Sequence, residues 1–207
     1  MLAPEQPVES AQEASPKPNP WSATDVAAIL RERGWLAGGT DSVGIDRAEM
    51  GRSSAASLRG LSDGHVAWCE RAALLLGPQA VDRGALEGLL NLIFHYDTSE
   101  LAGQVESHVV LSRDGARDVL RETALLLMDG GALDSERFKE IIAALKVRLE
   151  RGSRDLFHPI RLALAGKSGE GELDRVILLL DAAAALQWDV PVKSARVRMI
   201  EFCSAMD

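Results

Sequence analysis

Aromatic residues make up only 4% of this 207-residue chain, and a single tyrosine is among them. Runs of β-branched residues are scarce as well, which argues against a sheet-based fold. Cysteine is nearly absent. Cys69 and Cys203 are too few and too far apart for a disulfide framework or a zinc ligand set. Both fall in helical patterns and are read as buried free thiols. No apolar run approaches the ~20 residues of a membrane span. The N-terminus shows no positively charged segment leading into an apolar one, so the expectation is a soluble cytoplasmic protein. A basic surplus is also missing, since 23 Lys and Arg face 31 Asp and Glu for a net charge of −8. That balance excludes a surface coated in positive charge, the usual footprint of nucleic-acid binding.

What the chain does have is Ala, Leu, Glu and Arg, a helix-forming mixture. Residues 1–20 combine prolines with Glu, Gln and Ser and read as a disordered tail. Ser22-Ala-Thr-Asp25 looks like a capping box ahead of Val26, Ile29 and Leu30, with Gly34 as the stop. Residues 37–64 are rich in Gly, Ser and Asp. Gly38, Gly39 and Gly44 lack both the G-x-x-x-x-G-K-[ST] spacing and a preceding strand, so they read as plain loop rather than a phosphate cradle. A short helix around Ala55–Leu61 is possible on the pattern.

From residue 65 onward the apolar spacing is helical. It predicts helices over His65–Leu76 behind an Asp63 cap, Asp82–Phe94, Arg113–Met128 behind Ser112, Asp134 or Ser135 to Glu150, Glu172–Gln187, and Lys193–Met206. A long connection is expected between Phe94 and Arg113. The chain thus divides into a tail (1–20), a small helix with a Gly/Ser-rich loop (21–64) and a helical domain (65–207).

The charge is unevenly spread. Residues 137–167 carry eight Lys or Arg against three Asp or Glu. Within this window Arg137 and Arg148 share one flank of their helix, and Lys139 and Lys146 share the other. The plain account of such a window is a solvated face whose long side chains cover an apolar stripe. Phosphate contact is the functional account, and Arg148, Arg151, Arg154, Arg161 and Lys167 are its candidates, because they surround one helix end and the turn that follows. The four histidines show no metal-ligand spacing, and no nucleophile–base signature is recognisable. No catalytic residue, metal ligand or cofactor is therefore assigned.

The window ends in Asp155-Leu-Phe-His-Pro-Ile-Arg-Leu-Ala-Leu-Ala-Gly-Lys-Ser-Gly-Glu-Gly-Glu-Leu173. This reads as a loop, a short helix opened by Pro159 at its first position, a cap at Gly166, and a second helix burying Leu173, Ile177 and Leu180. Leu156, Phe157, Pro159, Ile160, Arg161, Ala163, Leu164 and Gly166 resemble the LF-x-P-[LI]-R-x-AL-x-G segment in the C-terminal, tRNA-binding half of bacterial-type glutamyl-tRNA synthetases. The helix with Asp134, Phe138, Ile142 and Leu145, then Arg151-Gly-Ser-Arg154, stands in the same order as in that family. The similarity is good over about residues 112–186 and looser from about 65. Residues 1–64 and 190–207 have no counterpart in it.

The resemblance implies an all-α multi-helix bundle like the anticodon-binding region of class I glutamyl-tRNA synthetases. The implied partner is tRNA, specifically glutamate tRNA, held through Arg and Lys contacts to phosphates; neither membrane nor DNA is implied. Neither the HIGH-like nor the KMSKR-like motif of the family's catalytic half occurs here, so the chain alone is expected to be non-catalytic. It would be a free-standing paralogue, a subunit whose catalytic part is a separate chain, or a helical interaction scaffold that has lost RNA binding. Two departures touch the turn surface: His158 replaces a commonly apolar residue, and Lys167-Ser-Gly-Glu-Gly lacks the usual Gly-Pro pair. Arg161 keeps two readings, a phosphate contact or a tie between helices.

Overall fold

The computed structural model describes residues 19–37 and 58–206. The expectations for the tail, for the 38–57 loop and for most of the Ala55–Leu61 helix lie outside them; residues 58–60 form a turn. Among the described residues all regular structure is helical. In chain order the helices are α1 (Ala23–Glu32), α2 (Asp63–Leu76), α3 (Arg83–Phe94), α4 (Thr98–Ala102), α5 (Val105–Leu111), α6 (Ala116–Met128), α7 (Ser135–Leu149), α8 (Ser153–Ala165), α9 (Glu172–Ile177), α10 (Leu180–Ala184) and α11 (Ala195–Ala205). None is long and apolar enough to cross a membrane.

Side-chain caps set many of the boundaries. Ser22 and Asp25 form the reciprocal capping box of α1. Asp82 caps α3, Asp134 caps α7 and Ser194 caps α11, each accepting from a backbone N–H of the first turn. For α2 the cap is Ser62 rather than Asp63, with its hydroxyl accepting from the His65 amide. Gly166 closes α8 at φ 76°, a left-handed conformation that costs glycine least.

Four local expectations are corrected. The connection after Phe94 contains α4 and α5. Asp97 caps α4 by accepting from Ser99 and Glu100, and Ser107 buries its hydroxyl on the Leu101 carbonyl. Ser112 ends α5 instead of opening α6, which starts after Gly115 at φ 72°. Pro159 lies inside α8, which begins at Ser153. Its missing N–H leaves the Asp155 carbonyl without a helical donor, and because Asp155 is exposed, water can supply one. The expected Glu172–Gln187 helix breaks at Leu178–Leu179. Five consecutive residues, Val176 to Leu180, are buried there, and the chain tightens through a Leu179-to-Val176 bond.

The core is one continuous cluster. Val26, Ile29 and Leu30 of α1 belong to it together with Leu76, Leu90, Leu120, Leu145, Ile160 and Phe202. Three tryptophans, scattered in the sequence, converge on Phe94. Trp35 stacks on it at 4.8 Å between ring centroids, and Trp68 and Trp188 meet it edge-on at 5.7 and 4.9 Å. The cluster ties α1, α2 and α3 to the segment after α10.

A second set of joints is polar. The Asp181 carboxylate accepts from the Leu133 amide ahead of α7 and from the Ala195 amide opening α11, at 2.6 and 2.7 Å. Arg196 donates to the carbonyls of Leu127, Met128 and Gly130, closing the C-terminus of α6. Arg198 is wholly buried. Its guanidinium donates to Leu92, Ile93, Leu164 and Lys193 carbonyls and lies 4.3 Å from the centre of the Tyr96 ring. The carbonyls of Leu92 and Ile93 are at the C-terminal end of α3, and that of Leu164 is at the end of α8. The negative ends of two helix dipoles thus face one cation. Burial pulls the Arg198 pKa down to about 10, still far above neutrality.

Candidate nucleic-acid interface

The five candidate cations follow from how α7 and α8 meet. Helix α7 lies against α6 on one flank, and the flank division read from the sequence holds. Arg137 donates to the Leu126 and Asp129 carbonyls of α6, and Arg148 pairs with Glu122 of α6 at 2.9 Å. Lys139 and Lys146 face the opposite side, lining a groove. Glu150, at φ 51°, and Gly152 turn the chain from α7 into α8.

At this turn Arg151 reaches back to the loop before α6. It donates to the Asp114 carbonyl at 2.8 Å and to its carboxylate at 2.7 Å, and its guanidinium lies directly over Gly115. The Asp114 partner raises the Arg151 pKa. Arg154, in the first turn of α8, is exposed and makes no hydrogen bond or ion pair among the described residues. One turn on, His158 meets Arg113, with 2.9 Å between Nη1 and Nδ1. Burial first, then Arg113, Arg154 and Arg161, hold the His158 pKa below 6.5, so the neutral ring accepts from Arg113.

Arg161 is placed elsewhere. It is 7% exposed, grips both carboxylate oxygens of Asp174 at 2.7 and 2.8 Å, and donates to the Gly169 carbonyl at 2.6 Å. Of its two readings the geometry is that of a tie, α8 to α9 across the glycine turn. Lys167 is exposed and unpaired among the described residues, but it stands past the C-terminus of α8. Thirteen residues separate it from Arg154, about 20 Å along a helix. The five candidates therefore form no single patch. Arg148, Arg151 and Arg154 crest the α7–α8 turn, Arg161 is internal, and Lys167 is remote.

Two cations of this neighbourhood escaped the sequence reading. Arg113 stands out in the sequence only as the expected start of a helix, and only the fold brings it to His158. Arg175 lies on the α9 side of the groove and is unpaired among the described residues; its sequence neighbours, Asp174 and Glu172, are acidic, so nothing in the local charge marked it. Among the described residues no group of three His, Cys, Asp or Glu side chains is placed to hold a metal. Cys69 is buried as expected, and burial pushes its thiol up to about 12. Cys203 is only half-buried, which corrects the expectation for that thiol.

An all-helical bundle with a cationic turn is a fold shared by many protein classes, so the sequence comparison carries weight. Over 86 residues, 42% of this chain, the sequence is 34% identical to a glutamate–tRNA ligase of Carboxydothermus hydrogenoformans. The matched stretch is 18% of that ligase. The chain is thus a partial homologue of glutamate–tRNA ligase, spanning under a fifth of the relative it matches. No protein-family profile and no solved structure matches it.

Proposed function

We propose that the chain is a tRNA-binding module, non-catalytic alone, that corresponds to the C-terminal, anticodon-binding part of glutamate–tRNA ligase. The observation that carries this reading is the cationic crest at the α7–α8 turn in a partial homologue of a tRNA ligase. Arg154 offers an unpaired guanidinium there. Arg113 and His158 stand beside it. The partners of Arg148 and Arg151 are surface carboxylates, and the Asp114 side chain is 93% exposed. Exposed ion pairs contribute little, so a phosphate can take over either arginine at small cost. Lys167 would contact a more distant phosphate. Arg161 is buried and committed to Asp174 and the Gly169 carbonyl, so it is left out of the contact set.

The partner by this reading is glutamate tRNA, and the module acts as a paralogue or beside a separate catalytic chain in the cytoplasm. A gel shift with tRNA across salt concentrations tests it. Affinity should fall steeply with salt, and Arg151→Ala with Arg154→Ala should flatten the slope by about one unit per lost contact. Absence of any shift at low salt overturns the reading. The scaffold alternative gains support from one observation, that Arg148, Arg151 and Arg161 all have carboxylate partners within the chain.

A further inference from the structure

The groove on the far side of α7 has a composition unlike the cationic crest. It encloses about 500 Å3 between α7 and α9, with α8 between them. Phe138, Ile142 and Ala143 of α7, Phe157 of α8 and Leu178 after α9 supply an apolar floor. Lys139 and Lys146 stand on one bank and Arg175 on the other. The two lysines are seven residues apart, so they repeat along the bank at about 10 Å, two helical turns. In a chain of net charge −8, a cation finds a carboxylate easily. Lys146 and Arg175 nonetheless have none among the described residues, and Lys139 has only its exposed neighbour Glu136.

Charge alone would suit a nucleic acid as well as an acidic protein, but the floor separates them. Single-stranded bases bind by stacking on open aromatic faces. Here the Phe157 ring carries the Arg161 guanidinium 4.7 Å from its centroid, and Arg161 is itself fixed by Asp174. Phe138 is 8% exposed. With Phe138 buried and one face of Phe157 covered, the groove is a poor stacking platform; it reaches solvent through Ala143 and the half-buried Phe157, where leucine-like side chains can insert. An amphipathic helix places such anchors at i, i+3, i+4 and i+7 and exposes its flanks to both banks at once.

We propose that this groove is a docking site for an acidic amphipathic helix of a partner protein, with apolar anchors between α7 and α9 and carboxylates against Lys139, Lys146 and Arg175. The site is separate from the crest. Lys146 and Arg148 leave α7 in opposite directions, and the tRNA reading can fail without affecting it.

The test uses the full chain and a fluorescent synthetic helix about four turns long, with leucines at amphipathic spacing and glutamates elsewhere. A peptide of the same composition in scrambled order is the control. The proposal expects saturable binding of the first peptide only, weakened at least about tenfold by Lys146→Glu with Arg175→Glu and, separately, by Ala143→Trp. Ala143 is exposed on α7, so the tryptophan fills the groove without entering the core; unchanged helical circular dichroism verifies each variant. Arg154→Ala should leave peptide binding unchanged. Equal binding of both peptides, no saturation, or indifference to Ala143→Trp overturns the proposal. So does competitive displacement by a single-stranded oligonucleotide, which would make the groove an RNA site, or a concentration-dependent dimer abolished by Ala143→Trp, which would make it a self-association face.

Discussion

Two sets of joints hold the helices of this molecule together by opposite chemistry. Around Phe94, α1, α2 and α3 meet through aromatic rings, with Trp35, Trp68 and Trp188 burying large areas and few directional bonds. From α6 to α11 the joints are arginines that aim at main-chain carbonyls. Arg137 and Arg196 close α6, Arg161 spans α8 to α9, and Arg198 closes α3 and α8 together. Ring contacts tolerate exchange among residues of similar volume, because such an exchange leaves no buried polar group unpaired. A guanidinium that satisfies four carbonyls has no substitute, because each orphaned buried carbonyl costs about 1–3 kcal/mol. The difference also decides which cations are open to a partner. An arginine that terminates a helix is committed, and net basicity in a sequence window overstates what a ligand can reach.

The sharpest way to break this contrast is to exchange one joint of each kind. Arg198→Met should cost about 4–5 kcal/mol or abolish folding, by the orphaning of several buried acceptors at once. Phe94→Leu should cost only about 1–1.5 kcal/mol. Urea melts of the two variants compare them, and an equal loss would remove the distinction. Arg198→Lys should rescue little, since one ammonium cannot reach both α3 and α8.

Next in size, Arg161→Ala should cost about 2–3 kcal/mol by stranding the Asp174 carboxylate, a figure reduced because Asp174 is partly exposed. If Arg161 were a surface cation, the loss in a thermal melt would be near zero. Gly115→Ala should cost about 1–2 kcal/mol through its left-handed backbone and should displace Arg151. A smaller loss than that of an alanine placed elsewhere in the loop would count against the geometry.

The smallest expected effect is the pH response of His158. Its folded pKa lies below 6.5, so the unfolded chain binds the proton more readily. Stability from this group is full above that value and falls as pH drops through it toward the folded pKa. Melting points from pH 7.5 to 5 should fall less in His158→Gln than in the parent. An identical slope would show that neither burial nor the neighbouring arginines holds the ring's pKa down.

Much of this architecture was legible from local chemistry. The capping box at Ser22, the helix starts near Asp82 and Asp134, the C-cap at Gly166 and the two flanks of α7 all follow from near neighbours in the chain. What was hidden depends on distant partners. Arg198 sat in plain view on the buried stripe of α11, between Ala195 and Phe202, yet three of its four acceptors lie more than thirty residues away. Pro159 looked like a helix start because a proline's missing N–H costs nothing at a first helical position. Its place in mid-helix depends on Leu156 being drawn into the core. The candidate site shows the same limit. The basic window was visible, but the carboxylates that engage Arg148 and Arg151 come from α6 and the loop before it, and no sequence window of that size contains them.

The reach of Arg198 also orders events during synthesis. Its acceptors on α3 are 105 and 106 residues upstream, so α3 and α8 emerge from the ribosome long before α11 can close them. Until then both helix ends must be hydrated, and the pocket around Tyr96 stays open. A nascent chain paused before residue 195 should therefore be protease-sensitive near the ends of α3 and α8, and should become resistant together there once α11 arrives.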